Sequence, residues 1–236
     1  MENRTYPYPD ALVLAAGKVV ASSLRCCIKE LSDIRSVWKR DYITSLDTRL
    51  DAAFVDILSC NIEDIHRFLK SDIYDLLQQI AFNLTCLKVQ VEVDNSHNLE
   101  RLAELKKHLG FSRFNQKFSK LSEEKLVLLL NLVVDGLTPA IRIELQNNGV
   151  SSYLLSKIEK QAALINDIKQ VQSFLLQPNQ KLTAENIATL NSLYNEIIGI
   201  CIVATAYFEE KPKKRDRFNF LMIVNRLQGV ISEELG

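Results

Sequence analysis

The chain has 236 residues, with 29 basic and 29 acidic side chains, so its formal net charge is zero. It therefore lacks the overall basic field on which non-specific duplex binding draws. Hydrophobic residues at 47% and charged residues at 25% exclude a disordered chain, and 7 glycines with 5 prolines are too few turn formers for a many-stranded β fold.

The first element opens at Pro9–Asp10. Its apolar positions Val13, Gly17, Val20, Leu24, Cys27, Leu31, Ile34 and Trp38 step alternately by four and three residues. That alternation keeps one apolar seam facing a partner along a helix. The spacing predicts helices over about 10–38, 41–59, 62–92, 97–109, 122–136, 139–148, 151–176, 183–209 and 213–232. Ile73, Leu77, Ile80, Leu84, Leu87 and Val91 repeat the alternation, as do Ile187, Leu190, Tyr194, Ile197, Cys201, Ala204 and Phe208. Over 88–93, Val89, Val91 and Val93 alternate with polar residues in a strand period. A lone strand would have nothing to pair with, so the segment is read as helix. Ser122, Thr138–Pro139 and Thr183 mark helix starts; Leu109–Gly110, Asn147–Asn148–Gly149 and Pro178 mark stops. Gly17 and Gly199, both mid-helix, are expected to permit close helix contact.

The expected fold is all-α, an up-and-down helical bundle of about eight to nine helices. A long helix followed by a short amphipathic one recurs near 62–110 and 183–229, which suggests two related halves, 1–120 and 121–236, packed as two bundles or one. Met1 to Asp10 has no basic leader region, and no stretch is expected to approach the ~20 apolar residues of a membrane span. The five cysteines, Cys26, Cys27, Cys60, Cys86 and Cys201, form no C-x-x-C pair and read as reduced thiols of a soluble cytoplasmic protein.

Five segments carry a resemblance. They are Asp41 to Ala53, Lys88 to Asp94, Leu109-Gly110-Phe111, Leu137-Thr138-Pro139-Ala140, and Tyr194 to Ile200 with Lys214 to Phe220 after it. On these the chain resembles a family of all-helical bacterial proteins of unknown function. The resemblance implies a bundle of two related halves and brings no activity and no catalytic residues.

Glu63-x-x-His66, with Asp94-x-x-His97 beyond it, sets a carboxylate and an imidazole on one helix face, as di-iron bundles do. Such sites also need two further carboxylates, and Glu63 lies on the charged side of its helix, so surface residues are the plainer reading. Lys211, Lys213, Lys214, Arg215 and Arg217 form a basic cluster beside Phe218 and Phe220, a pattern able to hold phosphates and stack bases. The plainer reading is a solvated link whose phenylalanines anchor the last helix. Phe111 to Phe118 is a second aromatic–basic stretch, read as a pinned connector. Cys27 and Cys201 take seam positions, where a thiol acts as a small hydrophobe. No glycine-rich phosphate loop or nucleophile elbow occurs.

These features favour a non-enzymatic interaction or scaffold protein without cofactor, presenting a helix face or groove to a protein partner or to itself in a homodimer. The alternatives are a metal-dependent or small-molecule enzyme with a bundle-core site using Glu63 and His66, and a nucleic-acid-associated protein acting through the 211–217 cluster.

Overall fold

The computed structural model describes residues 3–229, all of whose regular structure is helical. In chain order the α-helices are α1 (Asp10–Cys26), α2 (Ile28–Ile34), α3 (Arg40–Ala52), α4 (Ile62–Lys70), α5 (Ile73–Asp94) and α6 (Leu99–His108). They continue as α7 (Glu123–Gly136), α8 (Pro139–Asn147), α9 (Ser152–Leu175), α10 (Ala184–Tyr207), α11 (Pro212–Arg215) and α12 (Phe220–Leu227). A π-helical turn, Ala53–Ile57, extends α3, and short 3₁₀ turns occupy Phe111–Arg113, Phe118–Lys120 and Asp216–Phe218.

The all-α class stands, and the helix number is corrected from eight to nine to twelve among the described residues. Three expected helices are each broken in two. The first bends by 88° at Cys27, between α1 and α2. The apolar alternation runs through the bend, but Ile34 beyond it is exposed. The expected 62–92 helix stops at Lys70, and α5 restarts where Asp72 accepts a hydrogen bond from the Asp75 amide at 3.2 Å. The last divides into α11 and α12, with Asn219 capping the Met222 amide at 3.2 Å; its expected residues 230–232 lie outside the described residues. Asn98, Thr138 and Thr183 cap α6, α8 and α10 through their side chains, whereas Ser122 takes the cap position of α7 without a side-chain bond. Residues 88–93 are helical.

The chain forms two compact units, one made of the chain up to Lys70 and from Gln170 onward, the other of Ser71–Lys169. This grouping differs from the contiguous halves 1–120 and 121–236, because the C-terminal helices pack with the N-terminal ones. In the first unit, α1 lies against α3, α10 and α12. Leu12, Leu14, Leu24, Leu46, Leu50, Ile197, Phe208 and Phe218 fill its core. In the second unit α5 packs on α6 and α7, with Ile80, Leu84, Leu87 and Val91 against Leu105, Leu129, Leu130 and Val133.

α10 corrects a second expectation. It is long and apolar enough to cross a membrane by length and composition, since Glu185 and Glu196 are its only charges over 24 residues. The pairs α1–α2 and α7–α8 pass the same test only together, across bends of 88° and 91°. Within the first unit the buried side of α10 faces α1.

The glycines divide by environment. A methyl group at Gly17 would lie 2.6 Å from Ile197 Cδ1, so Gly17 does allow α1 and α10 to approach; at Gly199 nothing lies within 4 Å. Gly110 closes α6 in the left-handed region, φ 73°, where a Cβ would meet Leu132 Cβ at 2.8 Å. Gly110→Ala should therefore destabilise the protein by about 1–3 kcal/mol, from the strained backbone and the clash. Gly199→Ala should stabilise it by about 0.5–1 kcal/mol, because a half-buried helix position with open space around the new methyl group gains propensity at no steric cost. Urea unfolding of the two variants checks both signs.

Candidate functional site

His66 and Glu63 are one turn apart on α4, but the structure does not bring them to a common ligand. His66 Nε2 lies 3.1 Å from Asp51 Oδ1, on α3. Asp51 also takes Lys18 Nζ at 2.7 Å; Lys18 reaches Asp47 at 2.9 Å, and Asp47 pairs with Arg25. The imidazole thus ends a row of alternating basic and acidic side chains running from α1 across α3 to α4. Glu63 is exposed, its amide donating to Asn61 Oδ1 at 3.0 Å. No group of three or more His, Cys, Asp or Glu side chains that could hold a metal occurs among the described residues.

The basic cluster is engaged within the first unit. Lys211 and Lys214 both pair with Glu30 on α2, the former at 3.3 Å, and both ammonium groups lie over the Phe208 ring, 5.9 and 5.6 Å from its centroid. The Lys214 hydrogen bond holds the Glu30 carboxyl below its ordinary pKa. Arg215 sits 3.4 Å from Asp216; Lys213 and Arg217 are exposed. The two phenylalanines are not open platforms. Phe218 is fully buried and stacks on Phe208 at 5.9 Å, while Phe220 lies between Tyr8 and Tyr194. In the 111–118 connector, Phe111 and Phe118 are likewise buried and stacked at 5.8 Å, with Lys88 Nζ 5.1 Å above the Phe118 ring.

Burial raises the pKa of the Cys27 thiol despite the nearby cations of Lys214 and Arg217, and pushes that of Cys201 up to about 12. Neither has the lowered pKa of a nucleophile.

Two polar arrangements escaped the sequence reading. Asp10, 3% exposed at the start of α1, receives Arg4 Nε and Nη2 at 2.6 and 2.7 Å and the Tyr6 hydroxyl at 2.8 Å, while its amide donates to Asn179 Oδ1 at 2.6 Å. Every strong donor is thereby spent inside the fold, and the adjoining cavity, bordered by Leu58, Phe174 and Pro178, is only about 20 Å³. On α10, Glu196 accepts Arg49 Nη1 and Nη2 at 2.7 and 2.8 Å and the Tyr42 hydroxyl at 2.7 Å. These bonds, Arg49 first, lower the Glu196 pKa.

A row of exposed apolar residues lies on α5. Phe82, Val89 and Val93 are 67%, 50% and 65% exposed, with half-buried Cys86 between them. Their spacing, 82–86–89–93, is a second four-three alternation, about half a turn round the helix from the buried seam. From Gln78 to Val93 the only charges are Lys88 and Glu92, and both are turned aside, Lys88 over Phe118 and Glu92 to Lys106 Nζ at 2.6 Å. Gln78, Gln79 and Thr85 complete an exposed face with no charge over four turns. An exposed helix face normally carries charged residues. The alternation was legible in the sequence, but only after the buried seam had been set apart from it.

Glu196 gives a pH-dependent test. Its folded pKa is depressed, so its contribution is present above the ordinary carboxylate pKa and is lost as pH falls through the folded value. Glu196→Gln should cost about 1 kcal/mol at pH 7, a figure reduced for the half-exposed Arg49. In denaturant titrations the difference from wild type should persist at pH 4.5, the ordinary carboxylate value, and shrink only as pH falls on through the lowered Glu196 value.

No family model, curated protein or solved structure matches the chain, so its residues and their geometry alone carry the functional reading.

Proposed function

We propose that this is a non-enzymatic helical interaction protein that presents the outer face of α5 to an uncharged, apolar helix of a protein partner. The observation that carries the reading is the exposed row Phe82, Cys86, Val89 and Val93. Contiguous apolar surface on an exposed helix marks contact sites, and a partner helix bearing its own four-three seam would complete the packing. The engagement of Lys211 and Lys214 by Glu30, and of His66 by Asp51, supports interaction over nucleic-acid or metal chemistry.

We place the protein in the cytoplasm, a reading supported by five free thiols. The likeness of 62–110 to 183–229 supports an up-and-down bundle of two related halves, in keeping with the resemblance to all-helical bacterial proteins.

Phe82→Glu with Val89→Glu should abolish partner binding while shifting Tm by no more than about 2 °C, because both side chains are exposed and neither fills a core. The test uses the tagged chain as bait and sedimentation of the purified protein. Retention of the same partners by the double variant would refute the reading. A wild-type dimer that the variant converts to monomer would identify the partner helix as α5 of a second copy.

A further inference from the structure

The likeness between the halves extends, among the described residues, through every longer helix but α4 at a nearly constant shift, and its register explains how the two units are composed. On α5 the buried residues Ile80, Leu84, Leu87 and Val91 lie 113 positions before Leu193, Ile197, Ile200 and Ala204, the buried seam of α10. The helix ends, Asp94 and Tyr207, keep the same shift. So do Leu105 and Phe218, both buried in the helical turns that follow. On α1, Leu12, Ala15 and Ala16 lie 114 positions before Leu126, Leu129 and Leu130 of α7, and all six are buried. Each of these helices then turns sharply into a short one, α1 into α2 at 88° and α7 into α8 at 91°. Leu31 and Leu145, again 114 apart, are the buried residues that anchor the short helices. Ile43 and Leu50 of α3 lie 115 positions before Ile158 and Ile165 of α9.

One ion pair follows the same register at both ends, and apolar periodicity alone would not produce that. Glu30 of α2 binds Lys214 of α11, and Glu144, 114 positions after Glu30, binds Arg101, 113 positions before Lys214. Glu196 of α10 reaches across to Arg49 of α3. Asn83 of α5, 113 positions earlier, also reaches across to α9, but to Gln161 at 2.9 Å, three positions before Leu164, the residue in register with Arg49.

We infer that the chain is two fused copies of one helical segment that have exchanged their rear helices. The front of the first copy, α1 to α3, is completed by the rear of the second, α10 to α12. The front of the second, α7 to α9, is completed by the rear of the first, α5 and α6. Each compact unit therefore contains one front and one rear, and the partner that the front–rear surface fits is a second copy of the same segment. α4 has no helical counterpart in the second copy, where the residues in register with it form the link from α9 to α10. The inference stands independently of whether α5 binds a partner.

Two measurements on the full chain test it. A protease site inserted between Asn115 and Gln116, in the exposed connector between the copies, is cut under native conditions. The two fragments should co-elute at the mass of the intact chain and unfold together, because each unit draws on both; fragments that separate would overturn the exchange. Hydrogen exchange is then compared for Glu30→Gln and Glu144→Gln. The first should raise exchange severalfold in α2 and α11, and the second likewise in α8 and α6, each leaving the other set unchanged. Equivalence of the copies is overturned if Glu144→Gln leaves α8 as protected as in wild type.

Discussion

From Asp10 to Gly17, α1 has no face turned to solvent, and Val20, Ala21 and Leu24 extend that burial to its last turns. A helix apolar all round must be enclosed, and no single neighbour can enclose it. α3, α10 and α12 share the task, so the last helices of the chain must return to the first. The same requirement explains the chemistry at its start. Asp10 is the one charge on the buried stretch, and Arg4 and Tyr6 donate to its carboxylate, because an unpaired carboxylate there would cost several kcal/mol. Gly17 removes the side chain that would otherwise hold α10 away.

The seams that build both units were legible in the sequence. Leu24, Leu84 and Ile197, one from each strong alternation, are fully buried. The breaks were less visible, for identifiable reasons. At Cys27 the apolar alternation continues from Leu24 to Leu31, so periodicity does not register the bend. At Asp72 the break is made by a carboxylate that caps the Asp75 amide, and in sequence such a cap looks the same as a solvated acid on a helix face. The strand-like run Val89, Val91, Val93 has a clear origin: Val91 belongs to the buried seam of α5, and Val89 and Val93 belong to its bare face. Two helical seams on opposite sides of one helix imitate a period of two.

Candidate sites were harder to read because their partners are distant in sequence. Glu30 stands 181 residues before Lys211, and Asp51 lies on a different helix from His66. A local cluster of cations or an acid–imidazole pair shows what chemistry a segment could offer, but long-range pairing decides whether those groups remain available. Here Lys211, Lys214 and His66 meet carboxylates of the first unit, and Phe218 enters its core. The row Phe82, Val89 and Val93 of α5 stays at least half exposed, and that difference makes it the functional candidate.

The central claim is that the four-three seams are sheltered in the native protein, and its own thiols report on this directly. Cys26 is exposed, whereas Cys201 sits buried in the α10 seam. Time-resolved labelling with a thiol reagent, read residue by residue by mass spectrometry, should modify Cys26 rapidly and Cys201 only at the rate of global unfolding. Native Cys201 that labels as fast as Cys26 would contradict the account.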